Sequence, residues 1–139
     1  MILLDTSGLL SAIDESQRHH GACAEALAQA TPPLLLSPFV LAELDYLLAT
    51  QVDEQAELAL LEEVARGVYH LEPFTAHDVA VAHEIIRRYA NLAIGLADAS
   101  IVVLAQRHAI RDVLTLDLRH FRALRPADGK RFRVLPADR

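Results

Sequence analysis

Four carboxylates in this 139-residue chain stand where an acid is hard to explain as surface decoration. Asp5 closes the opening run "MILLD", straight after three aliphatic residues, and the hydroxyls Thr6 and Ser7 follow it. Glu43 lies in "FVLAELDYLL". At helical spacing it shares a face with Phe39, Val40 and Leu47, while Asp45 points elsewhere. Asp98, in "GLADASIVVLA", shares its face with Ile101, Val102 and Ala105, and Ile94 lies one turn back. Asp117 closes "VLTLD" two residues after Thr115, so both face the same side of a strand. A carboxylate on an apolar face is costly unless a partner or a proton neutralises it. No Lys or Arg occurs between Arg18 and Arg66, so Glu43 has no cation nearby in sequence.

Each acid has an ordinary reading by itself. Asp5 and Asp117 are placed to cap helices. Asp98 falls in a first helical turn after Gly95, where the helix dipole favours an anion. Glu43 can sit at a rim and accept backbone N–H groups. Together, four converging carboxylates would repel one another, and a hard divalent cation with oxygen ligands, Mg²⁺ or Mn²⁺, relieves that. Such a cluster activates water and stabilises the charge that builds on a phosphodiester. On this reading Asp5 ends its strand to hold a metal rather than to cap a helix.

The elements that must bring these acids together are short and alternate in type. "ILL" (2–4), "LLL" (34–36), "VYHL" (68–71), "DVLTL" (112–116) and "FRVL" (132–135) read as strands. Helices are expected from about Thr6, through "HGACAEALAQA", from Ser37 as N-cap with Pro38 in the first turn, and from Asp53 to a stop at Gly67. Thr75 and Asp78 have the spacing of a capping box, with Asp in place of Glu, and "GLADASIVVLAQRHA" is a strongly apolar helix. Alternation of this kind predicts a three-layer α/β/α sandwich with a mostly parallel sheet of about five strands. Residues 1–139 are expected to form a single domain, since no repeat, linker or low-complexity segment interrupts them. Ligands in such folds bind beyond the carboxyl ends of the strands, which is where Asp5 and Asp117 fall.

Composition narrows the class. The chain is 53% apolar and 23% charged, which excludes wholesale disorder. No apolar run is long enough to span a membrane, and no signal peptide is evident. The single cysteine, Cys23, permits no internal disulfide and reads as a small buried hydrophobe, so a cytoplasmic location is expected. Net charge is −6, yet residues 107–139 hold nine of the 13 basic residues and only four acids. That basic segment can grip a polyanion or simply pair with the acidic remainder.

With the order "LLDTSGLL", "SPFVLAEL", "GLADASIVVLAQR" and "VLTLDLRHF", the chain resembles the PIN-domain family, in particular the VapC-type toxins of bacterial toxin–antitoxin pairs. The resemblance covers essentially the whole chain and places the family's acids on Asp5, Glu43, Asp98 and Asp117. It implies a Mg²⁺- or Mn²⁺-dependent endoribonuclease that hydrolyses RNA with activated water and arrests translation. Asp5, Asp98 and Asp117 would hold the metal, and Thr6, Ser7 and Thr115 would support the acids. It also implies a homodimer and a small antitoxin that covers the site. The apolar helices between residues 38 and 66 are expected to offer the antitoxin its groove. Arg119 and Arg122 are candidates for positioning the RNA backbone, against a surface or dimer-contact role.

Other chemistries fit less well. The pairs His19–His20 and His77/His83 match no zinc spacing, and no cysteine set supports one. No phosphate-cradling glycine loop occurs, and 5% aromatic residues are too few for a base-stacking platform. A phosphoacceptor domain would want an acidic pair before the first helix, and only Asp5 is there. A D-x-D phosphatase would need Asp where Ser7 stands. A non-catalytic scaffold on the same fold is the alternative to a nuclease, and loss of one of the four acids would favour it.

Overall fold

The computed structural model describes all residues, 1–139. Five strands, β1 (Ile2–Leu4), β2 (Leu34–Leu36), β3 (His70–Leu71), β4 (Asp112–Leu114) and β5 (Arg133–Leu135), form one sheet in the order β3-β2-β1-β4-β5. Every pairing is parallel. The chain moves outward from β1 to β3, then returns to the other side of β1 to lay down β4 and β5. The switch point therefore lies between β1 and β4, and right-handed crossovers put the helices of the two halves on opposite faces. All three residues of β1 are buried, as a central strand covered on both faces requires. β1, β2 and β4 lie at the centre of a core cluster of 28 buried residues.

Local sequence explains most of the helices. α1 (Thr6–Ile13) and α2 (His20–Gln29) follow β1. α3 (Pro38–Leu47) starts at Ser37, whose hydroxyl accepts the Phe39 N–H. α4 (Glu54–Ala65) starts at Asp53, whose carboxylate accepts the Ala56 N–H. It ends in a Schellman motif: Val68 N donates to Glu63 O, Gly67 N to Val64 O, and Gly67 takes φ +83°. α5 (Ala76–Arg88) has both bonds of its capping box, so Asp78 does the work of the usual Glu. α6 (Leu96–His108) is the most buried helix, and the short α7 (Leu118–Ala123) precedes β5.

The strands are shorter than expected at three places, since β3, β4 and β5 cover only 70–71, 112–114 and 133–135. α3 also stops at Leu47 and continues as a wider π-type turn over Leu48–Val52. Gly8 is required where it stands. A Cβ there would lie 2.4 Å from the Leu114 carbonyl oxygen, so α1 can rest on the end of β4 only with glycine. That close approach brings the residue after β1 next to the residues after β4.

Candidate active site

Asp5 follows β1 and is buried at 5% exposure. It occupies the N-cap position of α1, yet its side chain caps nothing. Instead its Oδ2 accepts the Thr115 hydroxyl at 2.6 Å and faces the Ser7 hydroxyl at 3.2 Å. Thr115 Oγ1 in turn accepts the Asp117 N–H at 2.9 Å, and Ser7 Oγ accepts the Leu116 N–H at 2.9 Å. The loops leaving β1 and β4 are thus stitched together by two hydroxyls. Thr6 Oγ1 is buried with no hydrogen-bond partner.

Burial pushes the Asp5 carboxyl up to about 6, the Thr115 hydrogen bond opposes this, and the negative charge of Asp98 adds to it. Asp98, in the first turn of α6, is also raised. Burial is again the main cause, His120 opposes it, and the charges of Asp117 and Glu43 reinforce it. Asp117 caps α7 by accepting the His120 N–H at 3.0 Å while its side chain also lines the cleft.

Asp5, Glu43, Asp98 and Asp117 line one cleft of about 380 Å³ at the carboxyl end of β1, with Thr6 and Ser7 beside them. No Lys or Arg pairs with any of the four acids. The cleft walls α3 and α6 are joined by a buried bond between the Ser37 and Ser100 hydroxyls at 2.6 Å. Ser100 also donates to the Ala97 carbonyl at 2.6 Å, which leaves Ser37 as the donor between them.

One expectation needs correcting. Glu43 does not lie on the apolar face of α3: it is exposed. The buried stripe of that helix is Val40, Leu44 and Leu48, spaced by four, and Glu43 falls one residue off it. Phe39 and Leu47, its expected apolar neighbours, are only half-buried; Glu43 and Leu47 line the cleft, while Phe39 packs edge-on against Phe74.

His120 was not anticipated. Its Nδ1 lies 3.1 Å from Asp98 Oδ2 and 2.9 Å from Asp117 Oδ2, and its Nε2 lies 3.1 Å from the Leu92 carbonyl oxygen. Asp98, Asp117 and His120 offer donor atoms within 4.8 Å of one another. The signal was available, since His120 stands three residues after Asp117 and so returns to the same side of a helix. His120 falls outside the pairs His19–His20 and His77/His83 and matches no zinc spacing.

The basic segment is largely committed. Arg122 forks both oxygens of Asp138, at 2.7 and 2.6 Å. Arg111 pairs with Asp128 and Arg133 with Asp112. Arg119 is exposed beside Asp117 and makes no ion pair.

A donor set of three carboxylates with flanking hydroxyls and no Lys or Arg partner suits a divalent ion with oxygen ligands. The raised Asp5 and the partnerless Thr6 hydroxyl are the marks of a polar pocket whose charge the chain does not itself balance.

Comparison with known proteins bears on the family and the fold. The PIN domain family matches residues 2–125. Ribonuclease VapC26 of Mycobacterium tuberculosis is 46% identical over 135 residues, covering 97% of this chain and 100% of the relative. The crystal structure of Mycobacterium tuberculosis VapC20, described as a sarcin-ricin-loop-cleaving toxin, superposes with TM-score 0.80 at 22% identity, over 86% of this chain and 92% of that one. The FitAcB structure from Neisseria gonorrhoeae gives TM-score 0.61 at 25% identity, over 87% and 91%. With the fold, the four-acid cleft and these matches in agreement, the chain belongs to the PIN-domain family.

Proposed function

We propose that residues 1–139 form a single PIN-like domain that acts as a metal-dependent endoribonuclease, the toxin of a toxin–antitoxin pair. One observation carries the reading. Four acids distant in sequence line a single cleft at the topological switch point, and no Lys or Arg neutralises them. Identity of 46% to a named ribonuclease across nearly the whole chain supports the same activity.

In this reading Asp5, Asp98 and Asp117 hold the ion, Mg²⁺ or Mn²⁺. When bound, that ion supplies Lewis-acid stabilisation of the phosphate charge and acidifies water. The chain's own groups do the rest. Thr115 and Ser7 fix the Asp5 carboxylate, so its free oxygen is aimed before substrate arrives. Glu43, exposed on the cleft flank, accepts the proton of the attacking water at its carboxylate. Water adds to phosphorus, the bond from phosphorus to the 3′ oxygen breaks, and that oxygen takes a proton from solvent and leaves as a 3′-hydroxyl opposite a 5′-phosphate. Arg119, exposed and without an ion pair, holds the RNA backbone, whereas Arg122 is occupied by Asp138.

The toxin reading brings a partner and a place. We infer a small antitoxin seated on α3, α4 and the turn between them, where Tyr46, Val52, Leu58 and Leu61 are exposed apolar side chains. We infer also a homodimer and a cytoplasmic site of action. No helix is long and apolar enough to cross a membrane.

The test is incubation of total cellular RNA with purified, partner-free protein, with Mg²⁺ or Mn²⁺, with chelator, and with Asp5→Asn in parallel. Discrete fragments that need metal and vanish in the variant are expected. Folded protein that leaves RNA intact with either metal would return the chain to a binding or scaffold role.

A further inference from the structure

The ring of His120 is held by contacts that assign its two nitrogens different tasks. The Leu92 carbonyl oxygen can only accept, so Nε2, 3.1 Å away, carries a hydrogen toward it. Nδ1 is then left facing two carboxylate oxygens, Asp98 Oδ2 at 3.1 Å and Asp117 Oδ2 at 2.9 Å. Two carboxylate oxygens converging on one ring nitrogen need positive charge between them, which either a proton on Nδ1 or a bound cation supplies. A metal-ligating histidine almost always donates its second ring N–H to a carbonyl or carboxylate, which fixes the ring for ligation. Leu92 provides that contact here, from the short helical turn Ala90–Leu92 just before α6.

The spacing suits a cation as well. In an octahedral shell with bonds of about 2.0–2.1 Å, adjacent ligand atoms lie roughly 2.9 Å apart. Both Nδ1-to-oxygen distances are close to that edge length. The three side chains come from two elements, α6 and the start of α7, and all are partly buried, so the triad is held by the fold. Asp5 stands outside this close group while lining the same cleft.

We propose that His120 Nδ1 joins Asp98 and Asp117 as a direct metal ligand, making a mixed nitrogen–oxygen site that favours a first-row transition ion such as Mn²⁺ over Mg²⁺. Imidazole suits the transition ions, whereas Mg²⁺ keeps to oxygen ligands and water. His120 is thereby the residue that sets which divalent ion the cleft retains. This rests on the metal-dependent reading of the cleft and adds a ligand that the four acids do not include.

The experiment uses the full chain, stripped of metal and titrated with Mn²⁺. The pool of free Mn²⁺ measured by EPR reports affinity, and pulsed EPR reports nitrogen coupled to the bound ion. The expected result is one directly coupled ¹⁴N, replaced by ¹⁵N coupling in protein grown with ¹⁵N-histidine. That labelling leaves the fold untouched, so the test does not depend on any variant. In His120→Gln the coupling disappears and the preference for Mn²⁺ over Mg²⁺, read by competition, falls about tenfold or more. Bound Mn²⁺ with no nitrogen coupling would overturn the proposal and leave His120 as a protonated bridge between the two acids, with the acid metal site intact. No Mn²⁺ binding at all would overturn both this proposal and the metal reading beneath it.

Discussion

Two buried carboxylates follow strands of the same sheet and meet opposite fates. Glu72, next after β3, is 3% exposed and is surrounded by basic groups. It takes His70 Nε2 at 2.9 Å, Arg107 Nη1 at 3.4 Å and His108 Nε2, while Arg107 also pairs with Asp78 at 2.8 Å. Asp5, next after β1, is as deeply buried but meets two hydroxyls and, beyond them, more acids. The chain therefore brings its own positive charge to one acid and withholds it from the other. An acid with internal partners is part of the scaffold. In the proposed function, an acid held in place without them is the one that takes a cation from solution, and that contrast, more than burial itself, distinguishes Asp5 from Glu72.

The sharpest way to break the comparison is to remove an acid from each side and read activity. Asp98→Asn or Asp5→Asn is expected to lower RNA cleavage by ~10²–10³-fold or more, measured on a defined fragment with saturating Mn²⁺. Glu72→Gln, once folded, should cleave near the wild-type rate. Equal losses at both places would erase the distinction.

Stability should respond in the opposite sense. The folded Asp5 carboxyl is raised from the ordinary value near 3.8 to about 6, so the native state keeps a proton that the unfolded chain releases between those values. Metal-free protein therefore loses stability as pH rises from about 4 to 6 and gains none of it back above that. Asp5→Asn removes the cost and is expected to stabilise the metal-free protein at pH 8 by about 2–3 kcal/mol, with the gain fading toward pH 4. Urea unfolding in chelator at both pH values checks this. A variant that is less stable than wild type at pH 8 would show that the Asp5 charge is already compensated within the fold.

Glu72→Gln is expected to destabilise by about 1–3 kcal/mol, because Arg107 and His108 lose the negative charge they share and His70 Nε2 loses its acceptor oxygen. The smallest effect belongs to the exposed fork. Arg122→Ala should leave both the unfolding midpoint and RNA affinity close to wild type, whereas Arg119→Ala should weaken RNA binding and flatten its salt dependence. Anisotropy titrations with RNA in an Asp5→Asn background, at two salt concentrations, separate them.

Much of this was legible in one dimension. The caps at Ser37, Asp53 and Thr75 depend on side chains bonding backbone two or three residues away, so they hold in any context. The strands at Ile2 and Leu34 were plain because central parallel strands are apolar on both faces. Glu43 was misplaced because a helix with apolar residues on more than one side does not announce which side is buried. Packing of α3 against α1 and α6 buries Leu44 and leaves Phe39 half-exposed. His120 and the Glu72 group were missed for a related reason. His120 faces Asp98 across 22 residues and a Leu92 carbonyl across 28, and Glu72 meets Arg107 and His108 across 35 and 36.

The sequence by itself determined the alternation of strand and helix, the helix starts, and the three acids Asp5, Asp98 and Asp117 at positions that promised chemistry. These are local properties, set by periodicity, capping and the residue type at a strand end. Only the tertiary structure decided the strand order, the exposure of Glu43, the place of His120 between two acids, and which buried carboxylate would have basic partners. Those depend on which distant segments come to lie side by side. A buried charge has no energetic meaning until its neighbours are known.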